Sequence, residues 1–256
     1  MNDKKKLVGG NMSSVYQQGD TVVRKMGHWS PTIHRLLQHL EQKGFTDCPK
    51  FLGVTGEKEE ILTFVPGACL EDYPLNISDA KHLKGVALLA KKMRQFHDAT
   101  ASFPIREDDE WLLTYQGNLM KDVICHNDIA PYNVTFEDGL PKGFIDFDTC
   151  APAPRIWDIV YALYRFVPFT KNNSKMSMSH KFACVETFFQ NYGMPIPDDL
   201  FIMMAQRLMA LADFIKQEAD AGNEIFVKML IEGHDDFYIN EANDIKEINH
   251  QFYKEQ

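Results

Sequence analysis

The chain has 256 residues, enough to bury either one large core or two lobes of unequal size. With 45% hydrophobic and 25% charged residues it is neither disordered nor fibrous. A formal net charge of -9, relieved only by the short run Lys4-Lys5-Lys6, argues against nucleic acid as a partner. The cysteines at 48, 69, 125, 150 and 184 are widely spaced without a C-x-x-C pair, which fits neither a disulfide framework nor a zinc knuckle. No apolar run reaches the ~18 residues of a membrane span, so the expectation is a reduced, cytoplasmic protein with no membrane partner.

In chain order, "KLVGGNMSSVYQQGDTVVRKM" holds two apolar runs, around Val15-Tyr16 and Val22-Val23, with Gln-Gln-Gly-Asp between them as hairpin chemistry. "SPTIHRLLQHLEQKGF" predicts a helix with Ser30 as cap and Pro31 at its first position. Ile33, Leu36, Leu37 and Leu40 form its apolar face, and it ends at Gly44. "PKFLGVTGEKEEILTFVPG" adds two strands closed by Pro66-Gly67. From Ser78 the pattern turns helical, with Leu83, Val86, Ala87, Ala90, Met93 and Phe96 at helical spacing. "RIWDIVYALYRF", "SHKFACVETFFQNYG" and "PDDLFIMMAQRLMALADFIKQEADAG" read as further helices. The acidic runs Glu107–Glu110 and Glu232–Asp244 read as solvated surface. His97 reads as a core or helix-end histidine.

Chemistry concentrates in "CHNDIAPYNVTFEDGLPKGFIDFDTC". Its spacing is His126-x-Asp128-x-x-x-x-Asn133, then two short apolar runs about Asp138-Gly139, then Asp146-Phe147-Asp148. The runs read as a hairpin whose far end brings Asn133 and Asp146 together. Two oxygen ligands at such a mouth suit Mg²⁺, a hard cation commonly held by one or two carboxylates plus substrate phosphates. Asp128, just ahead on the same loop, is placed to orient a substrate hydroxyl or accept its proton.

The pattern matches the kinase H-x-D-x-x-x-x-N loop and its following Asp-Phe, with Asn127 where protein kinases have Arg and Asp148 in place of the glycine. "HNDIAPYN", "IDFD" and "RIWDIVYALYRF" together resemble the aminoglycoside phosphotransferase family of small-molecule kinases, over about residues 7–169. The resemblance implies an α+β, protein-kinase-like two-lobe fold. Residues 1–66 would form a small antiparallel-sheet lobe with one helix, and residues 67–256 a larger, mainly helical lobe. It implies an ATP- and Mg²⁺-dependent phosphotransferase acting on a hydroxyl of a small molecule, either a cationic acceptor of aminoglycoside or amino-alcohol type or, as the alternative, another small metabolite such as a sugar or macrolide.

Carried over residue by residue, the resemblance makes Asp128 the catalytic aspartate and Asn133 and Asp146 the metal ligands. His126 braces the loop, Asp148 stands near the metals, and Asp158 in "IWDIV" holds the loop from beneath. The nucleotide would be clamped by Gly10, Ser13 and Ser14 of "VGGNMSSVY", with Phe64 and Val65 of "LTFVPG" as an adenine hinge. Either Arg24 or Lys25 would contact phosphate; alternation with Val22 inward favours Arg24 and leaves Val23 and Lys25 outward. The helix from Ser30 offers His34 or Arg35 where the family has a glutamate partner for that cation. A protein kinase is disfavoured by the missing A-P-E element, while a nucleotide-binding pseudokinase or regulatory module is the alternative that the missing glutamate raises.

Overall fold

The computed structural model describes residues 5–7, 15–71, 78–170 and 176–252. Five antiparallel strands form the first sheet: β1 (Lys5–Lys6), β2 (Tyr16–Gln18), β3 (Thr21–Lys25), β4 (Phe51–Val54) and β5 (Glu59–Thr63), in the order β1-β2-β3-β5-β4. Gly19-Asp20 closes the β2–β3 hairpin, with Gly19 at φ +59°, a conformation open to glycine at no steric cost. Helix α1 (Ser30–Gln42) buries Ile33, Leu36, Leu37 and Leu40, as the periodicity predicts. Ser30 does not cap it. Trp29 occupies that position without a side-chain bond, and the Ser30 hydroxyl instead accepts from the Gly27 N–H at 3.0 Å. Val23, expected outward, is buried too; Tyr16 and Ile61 stand opposite it on the neighbouring strands and share its face.

The chain leaves the sheet through 64–71. Ala68 exchanges two backbone hydrogen bonds with Phe136 (3.0 and 2.8 Å), and the Leu70 N–H reaches the Pro131 carbonyl at 3.1 Å. Gly67 sits at φ +132°, where an added Cβ would lie 2.8 Å from Thr135 Cβ and 2.9 Å from the Phe136 carbonyl. Only glycine lets the two segments approach this closely.

The second part is mainly helical: α2 (Asp79–Thr100), α3 (Arg155–Phe166), α4 (Met178–Tyr192), α5 (Leu200–Asp220), α6 (Glu224–Ile231) and α7 (His234–Phe252). Two short strand pairs are set into it, β6 (Val123–Cys125) with β9 (Ala151–Ala153), and β7 (Val134–Glu137) with β8 (Leu140–Phe144). α2 packs on α4 and α5 on α7, around a core that includes Phe96, Phe144, Phe147, Phe188 and Phe201.

Two acidic runs expected at the surface are partly inside. The 232–244 run forms most of α7, where Asp235 and Glu241 are buried, Asp235 faces Lys216 at 3.3 Å, and Tyr164 donates to Glu241 at 3.1 Å. In the other run Asp109 clamps α1, accepting from Arg35 and from the Arg106 N–H (2.7 Å). The five cysteines are unpaired thiols, and among the described residues no helix is long and apolar enough to cross a membrane.

Candidate active site

Asp138 and Gly139, at φ +53° and +72°, make the tight β7–β8 turn with two left-handed residues that such hairpins favour. At the far end the Ile145 N–H donates to the Asn133 carbonyl at 2.9 Å, which sets Asn133 beside Asp146. Asp146 is itself left-handed, at φ +61°, a conformation that costs a non-glycine residue about 1 kcal/mol or more. It ends the strand abruptly, and a 3₁₀ turn over Phe147–Thr149 follows.

The 126–133 loop is held from several sides. Asp158, fully buried on α3, accepts from the His126 N–H and the Asn127 N–H, both at 2.8 Å, and from His97 Nε2 at 3.0 Å. Burial alone would raise the Asp158 carboxyl, but the hydrogen bond and charge of His97, with the backbone donor of His126, hold it below the usual carboxylate range. His126 Nε2 donates to the Ile145 carbonyl at 3.0 Å, tying the loop to the strand end that carries Asp146; burial keeps this imidazole's pKa low. Asn127, at φ +66°, donates to the Thr149 carbonyl at 2.9 Å, and its own carbonyl accepts from Arg207 of α5 at 2.6 Å.

Asp128 accepts from Tyr132 Oη at 2.8 Å and from Asn133 Nδ2 at 2.7 Å. Burial pushes its carboxyl up to about 6; the Tyr132 hydrogen bond opposes this and the charge of Asp146 adds to it. With its nitrogen spent on Asp128, Asn133 keeps its amide oxygen for another partner.

Arg24 crosses from the sheet to this mouth. Its Nη1 donates to Asp146 at 2.9 Å and to Asp148 at 3.1 Å, its Nη2 to Asp148 at 2.5 Å, and its Nε to Glu60 at 2.5 Å. Lys25 is exposed. The partner for the cation therefore comes from β5, where Glu60 stands directly opposite Arg24, while His34 of α1 holds the other Glu60 oxygen at 2.5 Å. Burial alone would raise Glu60, but His34 and Arg24 together keep it low. Burial pushes Asp148 up to about 6, and Arg24 only partly counters it because Asp146 and Glu60 lie close by.

The other expected nucleotide contacts are less complete. Gly10, Ser13 and Ser14 lie outside the described residues. The Phe64 N–H is already committed to the Asp20 carbonyl at 2.8 Å, while Val65 packs over Gly143. Glu60, Tyr132 and Arg207 escape motif reading. A signal for Glu60 exists in the alternation of "EILT", which puts it on the face of buried Leu62. Beside Asn127 a cleft of about 410 Å³ is lined by Tyr115, Trp157, Arg207, Asp213 and Glu218 among others.

Known proteins resemble this chain in sequence and in fold. Residues 106–174 match the model of the Phosphotransferase enzyme family. The trifolitoxin immunity protein of Rhizobium leguminosarum bv. trifolii is 38% identical over 157 residues, which are 59% of this chain and 58% of that protein. Among solved structures, a choline/ethanolamine kinase family protein from Mesorhizobium loti superposes with a TM-score of 0.62 at 13% identity, over 95% of this chain and 87% of the other. An amicoumacin kinase in complex with AMP-PNP and Ca²⁺ gives 0.64 at 14%, over 99% and 92%. A GDP complex of aminoglycoside 2'-phosphotransferase-IIIa gives 0.60 at 14%, over 96% and 92%. The fold is the kinase-like fold of these phosphotransferases, and the resemblance read over about residues 7–169 is borne out by the family match at residues 106–174.

Proposed function

We propose that this chain transfers a phosphoryl group from ATP, bound with Mg²⁺, to a hydroxyl of a small molecule. The observation that carries the reading is the meeting of Asp128, Asn133 and Asp146 at one hairpin mouth, with Arg24 reaching it from the sheet. Three carboxylates (Asp146, Asp148, Glu60) face one guanidinium there, so excess negative charge and hard oxygen donors fit a divalent cation. Asn133 and Asp146 would hold it; once bound, it neutralises charge on the transferring phosphate. Arg24 contacts phosphate oxygens, and Asp128 orients the acceptor hydroxyl and takes its proton.

The acceptor in this reading is a hydroxylated small molecule, with cationic antibiotics and amino alcohols the first to test. Asp213 and Glu218 in the cleft beside Asn127 support it, as do the names of the similar structures. The acidic runs at 107–110 and 232–244 contribute less to attracting a cation, because Asp109 and Asp235 already have cationic partners. The immunity protein's name supports a protective role, in which phosphorylation disarms a toxic compound.

The test is phosphate transfer from ATP or GTP to a panel of aminoglycosides, amicoumacin, choline and ethanolamine, with and without Mg²⁺. Asp128→Asn should lower turnover by ~10²–10⁴-fold while nucleotide affinity stays nearly constant. Unchanged turnover in that variant removes Asp128 from the chemistry. Mg²⁺-dependent nucleotide binding with no transfer to any acceptor would favour a regulatory nucleotide-binding module, the reading that Arg24's engagement by carboxylates also supports.

A further inference from the structure

Away from the cleft, α2 and α4 bring three metal-ligating side chains to one buried point. His180 and Cys184 are four residues apart and so share a face of α4; His82 meets them from α2. His82 Nδ1 and His180 Nε2 are 3.1 Å apart, and Cys184 Sγ lies 3.8 Å from the first and 3.7 Å from the second. All three residues are buried. A tetrahedral Zn²⁺ with Zn–N near 2.0–2.1 Å and Zn–S near 2.3 Å sets its ligands about 3.3 Å apart for N···N and about 3.6 Å apart for N···S. The three separations match that set.

The outer nitrogens point the same way. His82 Nε2 lies 3.0 Å from the Phe166 carbonyl, which can only accept, so the proton of the neutral ring is on Nε2 and the Nδ1 lone pair faces the cluster. His180 Nδ1 lies 3.7 Å from the exposed Asp79 carboxylate, longer than a hydrogen bond but within a side-chain rotation of the carboxylate–histidine pair found behind zinc ligands. Asp79 is exposed, so its carboxylate stands on the solvent side of the buried cluster.

We propose that His82, His180 and Cys184 form a Zn²⁺ site, with water as fourth ligand from the Asp79 side, that clasps α2 to α4. The site is separate from the cleft and does not rest on the function proposed above. Binding displaces the Cys184 thiol proton to solvent, so affinity rises with pH. Because α2 also carries His97, which holds Asp158, the clasp steadies the helix beneath the 126–133 loop.

The experiment uses the full chain with Cys69→Ser, which removes the exposed thiol, stripped of metal and titrated with Zn²⁺ and with Co²⁺. Expected are one tight equivalent of Zn²⁺, a rise in Tm on binding, and a thiolate-to-cobalt charge-transfer band with Co²⁺. Cys184→Ala should abolish the band, and the surface change Asp79→Asn should weaken Zn²⁺ binding by roughly 10–100-fold. Asp146→Asn should change neither. The proposal is overturned if the folded Cys69→Ser protein gives no charge-transfer band, if the band survives Cys184→Ala, or if the tight equivalent disappears with Asp146→Asn. The cluster is then a plain His–His hydrogen bond beside a buried thiol. Should Cys184→Ala not fold, the parent spectrum and Asp79→Asn decide the question alone.

Discussion

At the scale of single residues, the reactivity assigned to Asp128 depends on its proton. Burial holds the carboxyl up at about 6, and the form that can accept a proton is the ionised one, so kcat/KM should fall on an acidic limb near that pH. Tyr132 donates to the charged form and thereby lowers the pKa. Removing the donor in Tyr132→Phe should move the limb to higher pH by roughly half a unit to one unit, read from the pH dependence of kcat/KM. A limb that does not move would separate it from Asp128. Asp128, Asn133 and Asp146 were legible because one loop and one hairpin fix their spacing locally. Glu60 was not legible as the partner of Arg24, because that pairing spans 36 residues and depends on strand register. Arg207, 80 residues from the carbonyl it holds, gave no local signal at all.

At the scale of elements, α3 contributes a charge where its pattern is otherwise apolar. Asp158 gathers two backbone donors and one imidazole, and Asp158→Ala would leave all three without that partner inside the core. The expected loss is about 3–5 kcal/mol, measured by denaturant unfolding at neutral pH, together with loss of activity. The folded-state pKa of Asp158 lies below its unfolded value of about 3.9. Its stabilisation is therefore complete above that value and lost as the pH falls through the folded one, so the gap between wild type and variant should shrink on acidification below about 3.9. A variant that keeps full stability but loses activity would instead assign Asp158 to the chemistry. Helix periodicity and turn residues made most elements readable. The Ser30 cap was misread because the same hydroxyl can serve the preceding turn, and helix boundaries shift by a residue or two on such local competition.

At the scale of the whole molecule, the acidic C-terminal run hides a structural helix. The 232–244 run reads as solvated surface, yet α7 presents Ala242, Ile245, Ile248 and Phe252 to the core, and these are spaced along one face of the helix. Burying Ile245, Ile248 and Phe252 is worth roughly 1.5–3 kcal/mol each. Their sum, about 5–9 kcal/mol, is of the order of an entire domain's stability. Deleting residues 234–252 should therefore give an aggregating or unfolded product, seen by size-exclusion chromatography and circular dichroism. A monomeric, folded truncation would show that the α5 surface beneath is stable in water.

The Arg24 guanidinium has five N–H donors, and four are engaged: one by Glu60, one by Asp146 and two by Asp148. Binding a phosphate there is an exchange of partners rather than an addition. An incoming anion must release a carboxylate, and a released carboxylate needs a new cation. A divalent ion arriving alone would face the guanidinium across the same two aspartates. Each of the two ligands proposed for the cleft thus vacates the place that the other requires, and by reciprocity each must tighten the binding of the other by the same factor.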